Sequence, residues 1–303
     1  NSPTAQQPNS HNIFKPAKVI IMALLILTNL NTLATFAQDT EECGGAILFG
    51  EYDEGGFRSN VDFCTDAVKV LPIVIHVVYS GTLEQAQVDI GMTEITENFL
   101  FNINRNFRTT NSVINEFVDT KIQFALAGLD PEGNETDGVN YVYDADSKFH
   151  YYNNSTDFAN EVYRFEAMAL WDISKYINIW IVSDIVEKSV YGFALNGRGI
   201  YLDYASFGSN TPTHELGHML GLKHTYEAAS CNEVNCTSEG DFICDTPPGV
   251  LESCDFYAPS CGGDLFPHVQ LSNFMSACPQ RTNFTFGQAL FMTDVLHNTV
   301  ISN

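Results

Sequence analysis

Residues 214–224 read His-Glu-Leu-Gly-His-Met-Leu-Gly-Leu-Lys-His, and this spacing constrains the chain more than any other feature. His214 and His218 stand four residues apart, so on an α-helix both imidazoles lie on one face within reach of a single ion. Gly221 can take the left-handed conformation that ends a helix and turns the chain back, which makes His224 a third ligand. Three neutral imidazoles on a zinc ion leave one position for water, whose pKa then falls to about 7, and Glu215 on the same turn can take up the proton. The reaction implied is attack of water on a carbonyl. Thr211 or Thr213 is expected to cap the helix, with Pro212 in its first turn and Glu215 suited to the N-terminal dipole.

The rest of the chain points to export. Residues 19–30 form a short apolar run preceded by Lys15 and Lys18 and followed by Ala34-Thr35-Phe36-Ala37. This is the pattern of a secretory leader, too short for a stable membrane span, with cleavage expected after Ala37. Removing residues 1–37 takes the formal charge from −23 to −25, a balance that repels nucleic acid and anionic membranes. All eight cysteines lie beyond the leader, six of them within residues 231–278. That distribution fits disulfides in an oxidising compartment better than a thiolate zinc module, since no Cys-x-x-Cys pair occurs there.

Residues 38–69 are rich in Gly, Asp and Glu and read as a pro-segment or N-terminal arm, with the catalytic domain running from 70 to 303. Leu71–Tyr79 has the β-branched composition of a buried strand and carries His76, read as a packed core residue. Apolar residues from Val88 to Phe107 recur at helical spacing, which predicts one long amphipathic helix. Lys121–Leu126 and Tyr176–Val182 are further strands. Gly192–Leu195 and the stretch opening at Gly199 are short glycine-bounded strands just before the zinc helix, one of them an edge able to pair with an extended peptide. Asn134, Asn153, Asn154, Asn235 and Asn283 head Asn-x-Ser/Thr sequons, a pattern of exposed segments.

The motif, together with Met275 in Asn273-Phe274-Met275-Ser276, resembles the metzincin zinc peptidases, and within that clan the pappalysin family. Leu71–Tyr79, Asn104–Arg108, Trp171–Tyr176, Asp245-Thr246-Pro247-Pro248 and Phe284–Gln288 follow the family's order, so the likeness covers roughly residues 70–295. The resemblance implies an α/β (α+β) catalytic domain: a twisted mixed five-stranded sheet with long helices, a zinc-binding active-site helix and an irregular disulfide-rich C-terminal subdomain with a methionine turn. It assigns His214, His218 and His224 to zinc, Glu215 to the general base and Met275 to the turn beneath the metal. It further implies the pairs Cys231–Cys261 and Cys254–Cys278, leaving Cys236 and Cys244 to each other. A structural calcium ion is expected in the loop after the third histidine, where Asp241, Asp245 and Thr246 offer hard oxygens, although a solvated acidic loop reads the same way.

Two departures from the family fall on one position. Ala277 stands where a tyrosine often hydrogen-bonds the oxyanion, and the same Ala277 stands before Cys278 where an aspartate recognises a basic substrate side chain, so arginine specificity is not carried over. Upstream, Cys43 is read either as a cysteine switch on zinc or as the partner of Cys64. The expectation is a secreted zinc endopeptidase with protein or peptide substrates; the alternative is a catalytically weak or inactive secreted zinc-binding module.

Overall fold

The computed structural model describes residues 67–298 apart from 109–117, 189, 228–230, 232–234, 247, 249–253, 255–260, 262–270 and 280. All of these belong to one compact unit, Gly55–Asn303. The leader, the pro-segment, Cys43 and Cys64 lie outside the described residues.

The first strand, β1 (Lys69–Tyr79), leads through α1 (Leu83–Asp89) and α2 to β2 (Ile122–Leu126) and β3 (Val139–Tyr143). Helix α2 is wound as π-helix over Glu94–Leu100 and as α-helix over Phe101–Phe107. After β4 (Phe149–His150) come α3 (Ser155–Ala169), β5 (Ile177–Val182), β6 (Ile185–Val186), β7 (Gly192–Leu195) and β8 (Gly199–Asp203). Helices α4 (Thr211–Met219) and α5 (Phe286–Asn298) close the order. The expected long helix from Val88 is instead two helices broken around Ile90. Ile90 leaves helical geometry at φ −129°, ψ 81°. At Gly91 a Cβ would come within 2.6 Å of the Gln87 carbonyl oxygen, so only glycine fits the break.

The sheet runs β2-β1-β5-β8-β7, the five strands of the expected mixed sheet, with β3 as a sixth. β1 is long enough to hold β2 along Lys69–Ile73 and β3 along Ile75–Tyr79. All these pairings are parallel except β7 with β8, which makes β7 an antiparallel edge. Strands buried on both faces should read as continuous apolar runs, and β5, Ile-Asn-Ile-Trp-Ile-Val, is buried throughout.

The two faces carry separate cores because side chains alternate along each strand. Ile73, Ile75, Ile179, Ile181, Ile200 and Leu202 face one way, onto Ile95, Phe99, Ile103 and Phe107 of α2 and Leu216 of α4. Val78, Trp180, Val182 and Tyr201 face the other, onto Phe149 and onto Val162 and Phe165 of α3. Helix α3 is capped by Asn154, whose side chain accepts from Asp157 N. Among the described residues no helix is long and apolar enough to cross a membrane. The sequon at Asn283 does not mark exposure: its side chain is buried, whereas Asn235 is exposed.

His76 is fully buried on the α3 face, stacked on Trp180 at 4.2 Å between ring centroids. Its Nε2 lies 2.9 Å from Asn178 Oδ1, which also accepts from Trp171 N. Burial holds the imidazole down at about 4, against the smaller upward pull of the Asn178 hydrogen bond. The folded state therefore stays neutral while the unfolded chain protonates below about 6.5, so stability is full above that pH and falls as the pH drops toward 4. The loss at pH 4 should approach about 3 kcal/mol relative to neutral pH. Urea melts of the chain and of His76→Gln at pH 7, 5.5 and 4 check this: the variant should show a shallower acid slope, and an unchanged slope would put the proton uptake elsewhere.

Candidate active site

The motif helix α4 is fixed at its start by side-chain contacts from other elements rather than by a capping bond, and at its end by a glycine turn. Asn210, not Thr211 or Thr213, occupies the cap position, and its side chain makes no capping bond because it is engaged elsewhere. Its Oδ1 accepts from Asn106 Nδ2 at 3.1 Å, its Nδ2 donates to Arg281 O at 2.8 Å, and Asn106 also donates to Thr213 Oγ1 at 2.9 Å. The end of α2 thus holds the start of α4. At the other end the helix gives out at Leu220 and Gly221 takes φ +90°. A Cβ at Gly221 would lie 3.0 Å from Val295 Cγ2 and 3.1 Å from Phe291 Cε1. Glycine is needed both for the turn and for the approach of α5.

The turn returns His224 to the helix. His218 Nε2 lies 3.2 Å from His214 Nε2 and 3.1 Å from His224 Nε2. Imidazole nitrogens bound to one tetrahedral zinc at about 2.0–2.1 Å sit roughly 3.3 Å apart, so both spacings from His218 match such an ion, and all three ligand atoms lie within 4.8 Å of one another. It is also the one group of three metal-capable residues among the described residues. The outer nitrogens are committed: His214 Nδ1 donates to Phe274 O at 2.6 Å, His218 Nδ1 to Leu222 O at 2.8 Å, and His224 Nδ1 faces Glu227 Oε1 at 3.2 Å. With Nδ1 carrying the proton, each Nε2 presents its lone pair to the common point. Burial, foremost, holds all three imidazoles below their usual range and therefore neutral.

Beneath the site lies Met275, fully buried. Its N–H donates to Asn273 Oδ1 at 2.8 Å and its carbonyl accepts from Thr225 N at 3.2 Å. Phe274, which anchors His214, belongs to the same turn. The helix approaches so closely that a Cβ on Gly217 would sit 2.5 Å from Met275 Sδ.

Glu215 is buried on the same helix. Desolvation raises its carboxyl to about 8, opposed by the positive charge of Arg281 and by a hydrogen bond from the Ala194 N–H of the edge strand β7. Arg281 had no sequence signal: it reaches the site only because the turn after Cys278 folds back on α4. Tyr226, stacked on His224 at 4.5 Å, and Glu227 are two further neighbours that the motif itself does not announce.

The irregular region after His224 is tied by Cys231–Cys261, Cys236–Cys244 and Cys254–Cys278. Of the residues considered for calcium, Asp241 accepts from Thr246 Oγ1 at 2.7 Å and from Ile243 N at 3.1 Å. Asp245 accepts from Thr285 Oγ1 at 2.7 Å and from Gly287 N at 2.6 Å, at the start of α5. Both carboxylates are thus engaged by donors of the protein.

Residues 161–297 match the sequence model of the Peptidase_M43 family, described as Pregnancy-associated plasma protein-A. This stretch is a pappalysin domain. An extracellular metalloprotease of Colletotrichum graminicola is 39% identical over 85 residues, covering 26% of this chain and 28% of its own. An extracellular metalloprotease of Aspergillus fumigatus is 43% identical over 141 residues, covering 37% and 42%. The chain therefore spans well under half the length of these relatives. In fold, the pappalysin domain and its surroundings resemble mature mirolysin of Tannerella forsythia in complex with a cleaved peptide, with a TM-score of 0.59 at 24% identity over 75% of this chain and 91% of that one. A promirolysin mutant from the same organism aligns over 94% of this chain and 93% of its own, with a TM-score of 0.60 at 20% identity.

The Gly217–Met275 contact makes a prediction against ordinary helix propensity. Gly→Ala inside a helix usually stabilises by about 1 kcal/mol, whereas Gly217→Ala should cost about 1–3 kcal/mol because the buried sulfur has nowhere to go. Denaturant midpoints measured with saturating zinc decide it, and an unchanged or raised midpoint would mean that Met275 moves aside freely.

Proposed function

We propose that the chain is a secreted zinc-dependent endopeptidase, and the observation that carries this is the convergence of three neutral Nε2 atoms beside the buried carboxyl group of Glu215. A structural zinc site would close its fourth position with another protein ligand; the described residues supply only three. His214, His218 and His224 would hold the ion, which when bound acts as a Lewis acid toward water and the scissile carbonyl. Glu215 receives the proton given up by water and passes it to the departing amine, so one carboxyl serves as base and then as acid. Its position is fixed by the helix and by the Ala194 N–H. An extended substrate would lie along β7, the antiparallel edge that already offers this N–H. Secretion is supported by the clustered disulfides and by relatives named as extracellular enzymes. A peptide substrate is supported by the shared fold with an enzyme seen with a cleaved peptide. Calcium on Asp241, Asp245 and Thr246 is a separate proposal, supported by their hard oxygens on one short loop.

The second reading, a zinc-binding module without activity, is favoured by Ala277, which leaves the turn without the tyrosine that often assists the oxyanion in such enzymes. Cleavage of an unfolded protein substrate by zinc-loaded chain, with chelator as control, separates the two. We expect about one zinc per chain and chelator-sensitive cleavage. Glu215→Ala should keep the zinc and lose about 10²–10⁴-fold in rate, while His218→Ala should lose the zinc itself. Zinc held without cleavage would support the second reading.

A further inference from the structure

The chain carries 14 lysines and arginines against 37 acids, and most arginines among the described residues are claimed by carboxylates. Arg108 pairs with Asp119, Arg164 with Asp144 and Glu161, and Arg198 with Glu166. Arg281 is different. Its Nε donates to Cys278 O at 3.1 Å and its own carbonyl accepts from Asn210 Nδ2, which pins the residue beside the start of α4. Among the described residues no carboxylate forms an ion pair with it, and its two terminal nitrogens have no hydrogen-bond partner. The side chain is partly buried, so the guanidinium has given up part of its hydration without gaining a counter-ion.

Its neighbourhood is the reaction site. After desolvation, the charge of Arg281 is the largest influence on both His214 and Glu215, and it reaches Tyr226 as well. It is not aimed at Glu215 as a salt bridge, since no such contact forms. A partly dehydrated guanidinium with both terminal nitrogens free presents a planar fork whose best complement is a carboxylate. The same turn carries Ala277 and Cys278, so a positive charge stands beside Glu215 and His214 in an otherwise acidic protein.

We propose that Arg281 is a specificity residue of this cleft, pairing through its terminal nitrogens with a substrate carboxylate next to the scissile bond. The proposal rests on the peptidase reading. The carboxylate has two sources, an aspartate or glutamate side chain flanking the bond or the free C-terminus of a short peptide, and both offer the same planar pair of oxygens.

The test uses the full zinc-loaded chain and a cleaved parent peptide made with Glu, Gln or Lys at each position flanking the cut, with free or amidated C-terminus. The expected result is a kcat/KM at least tenfold higher for a carboxylate-bearing peptide than for its uncharged counterpart, seen mainly in KM. Arg281→Gln should erase that difference and Arg281→Lys should keep part of it, with melting temperature and zinc content showing that each variant is folded. A preference tied to Glu places the contact at a side chain; one abolished by amidation places it at the C-terminus. Anisotropy of the labelled peptides on Glu215→Ala, with and without Arg281→Gln, reads the same preference without turnover. Cleavage with equal efficiency for Glu, Gln and Lys peptides, or an equal loss of kcat for all of them in Arg281→Gln, overturns the proposal and leaves the peptidase standing. Arg281-dependent binding of the carboxylate peptides without cleavage does the reverse, and absence of both overturns both.

Discussion

The contact on which the site depends is the seating of α4 on the methionine turn with no side chain between them. Gly217 lets the helix backbone approach Met275 Sδ to a distance no Cβ would tolerate. That approach brings the Phe274 carbonyl within 2.6 Å of His214 Nδ1. A side chain at 217 would lift the helix off the turn, and His214 would lose the acceptor that sets its tautomer. The role of the buried methionine is therefore geometric: its polarizable, adaptable side chain fills the space under a helix whose upper face must stay fixed.

The sheet supplies the platform by dividing its two faces between different tasks. One face receives α2 and α4, and the buried Asn106 at the end of α2 holds the cap residue and Thr213 of α4. The opposite face is an aromatic cluster of Phe149, Phe165, Trp180 and Tyr201 with edge and stacked contacts. His76 belongs to that second face and is two layers away in function: its bonds go to Asn178 and Asn140, which fix the Trp171 loop and the edge strand β3. A histidine in a strand is thereby explained without any metal.

What the sequence makes legible follows from how local the physics is. The three histidines are separated by one helical turn and one glycine turn, so spacing alone brings His214, His218 and His224 together. β1, β5 and β8 are legible because a parallel strand covered on both faces must be apolar throughout. β3 escapes notice because Val139–Tyr143 is an edge strand whose residues are only half-buried, leaving little contrast between its faces. Helix α3 escapes for a related reason: it buries Glu161, whose carboxylate accepts from His150 N and pairs with Arg164, so one of its core positions reads as a surface one. Arg281 is invisible for a topological reason, since 67 residues separate it from His214 and only the fold of the Cys278 turn closes that distance.

The disulfide-rich segment between His224 and the methionine turn is coupled to the histidine cluster by a chain of short contacts. Asp245 accepts from Thr285 Oγ1 and Gly287 N, and so sits at the start of α5 where a helix favours negative charge. A Cβ at Gly287 would collide with the Asp245 carboxylate at 2.5 Å, so the fit is again one that only glycine permits. About one and two turns further along, Phe291 and Val295 press on Gly221, the residue whose left-handed turn redirects the chain to His224. The acidic loop therefore sets the position of α5, and α5 supports the turn that delivers His224. The burial that raises Asp245 above its usual range is only partly offset by the two donors it captures.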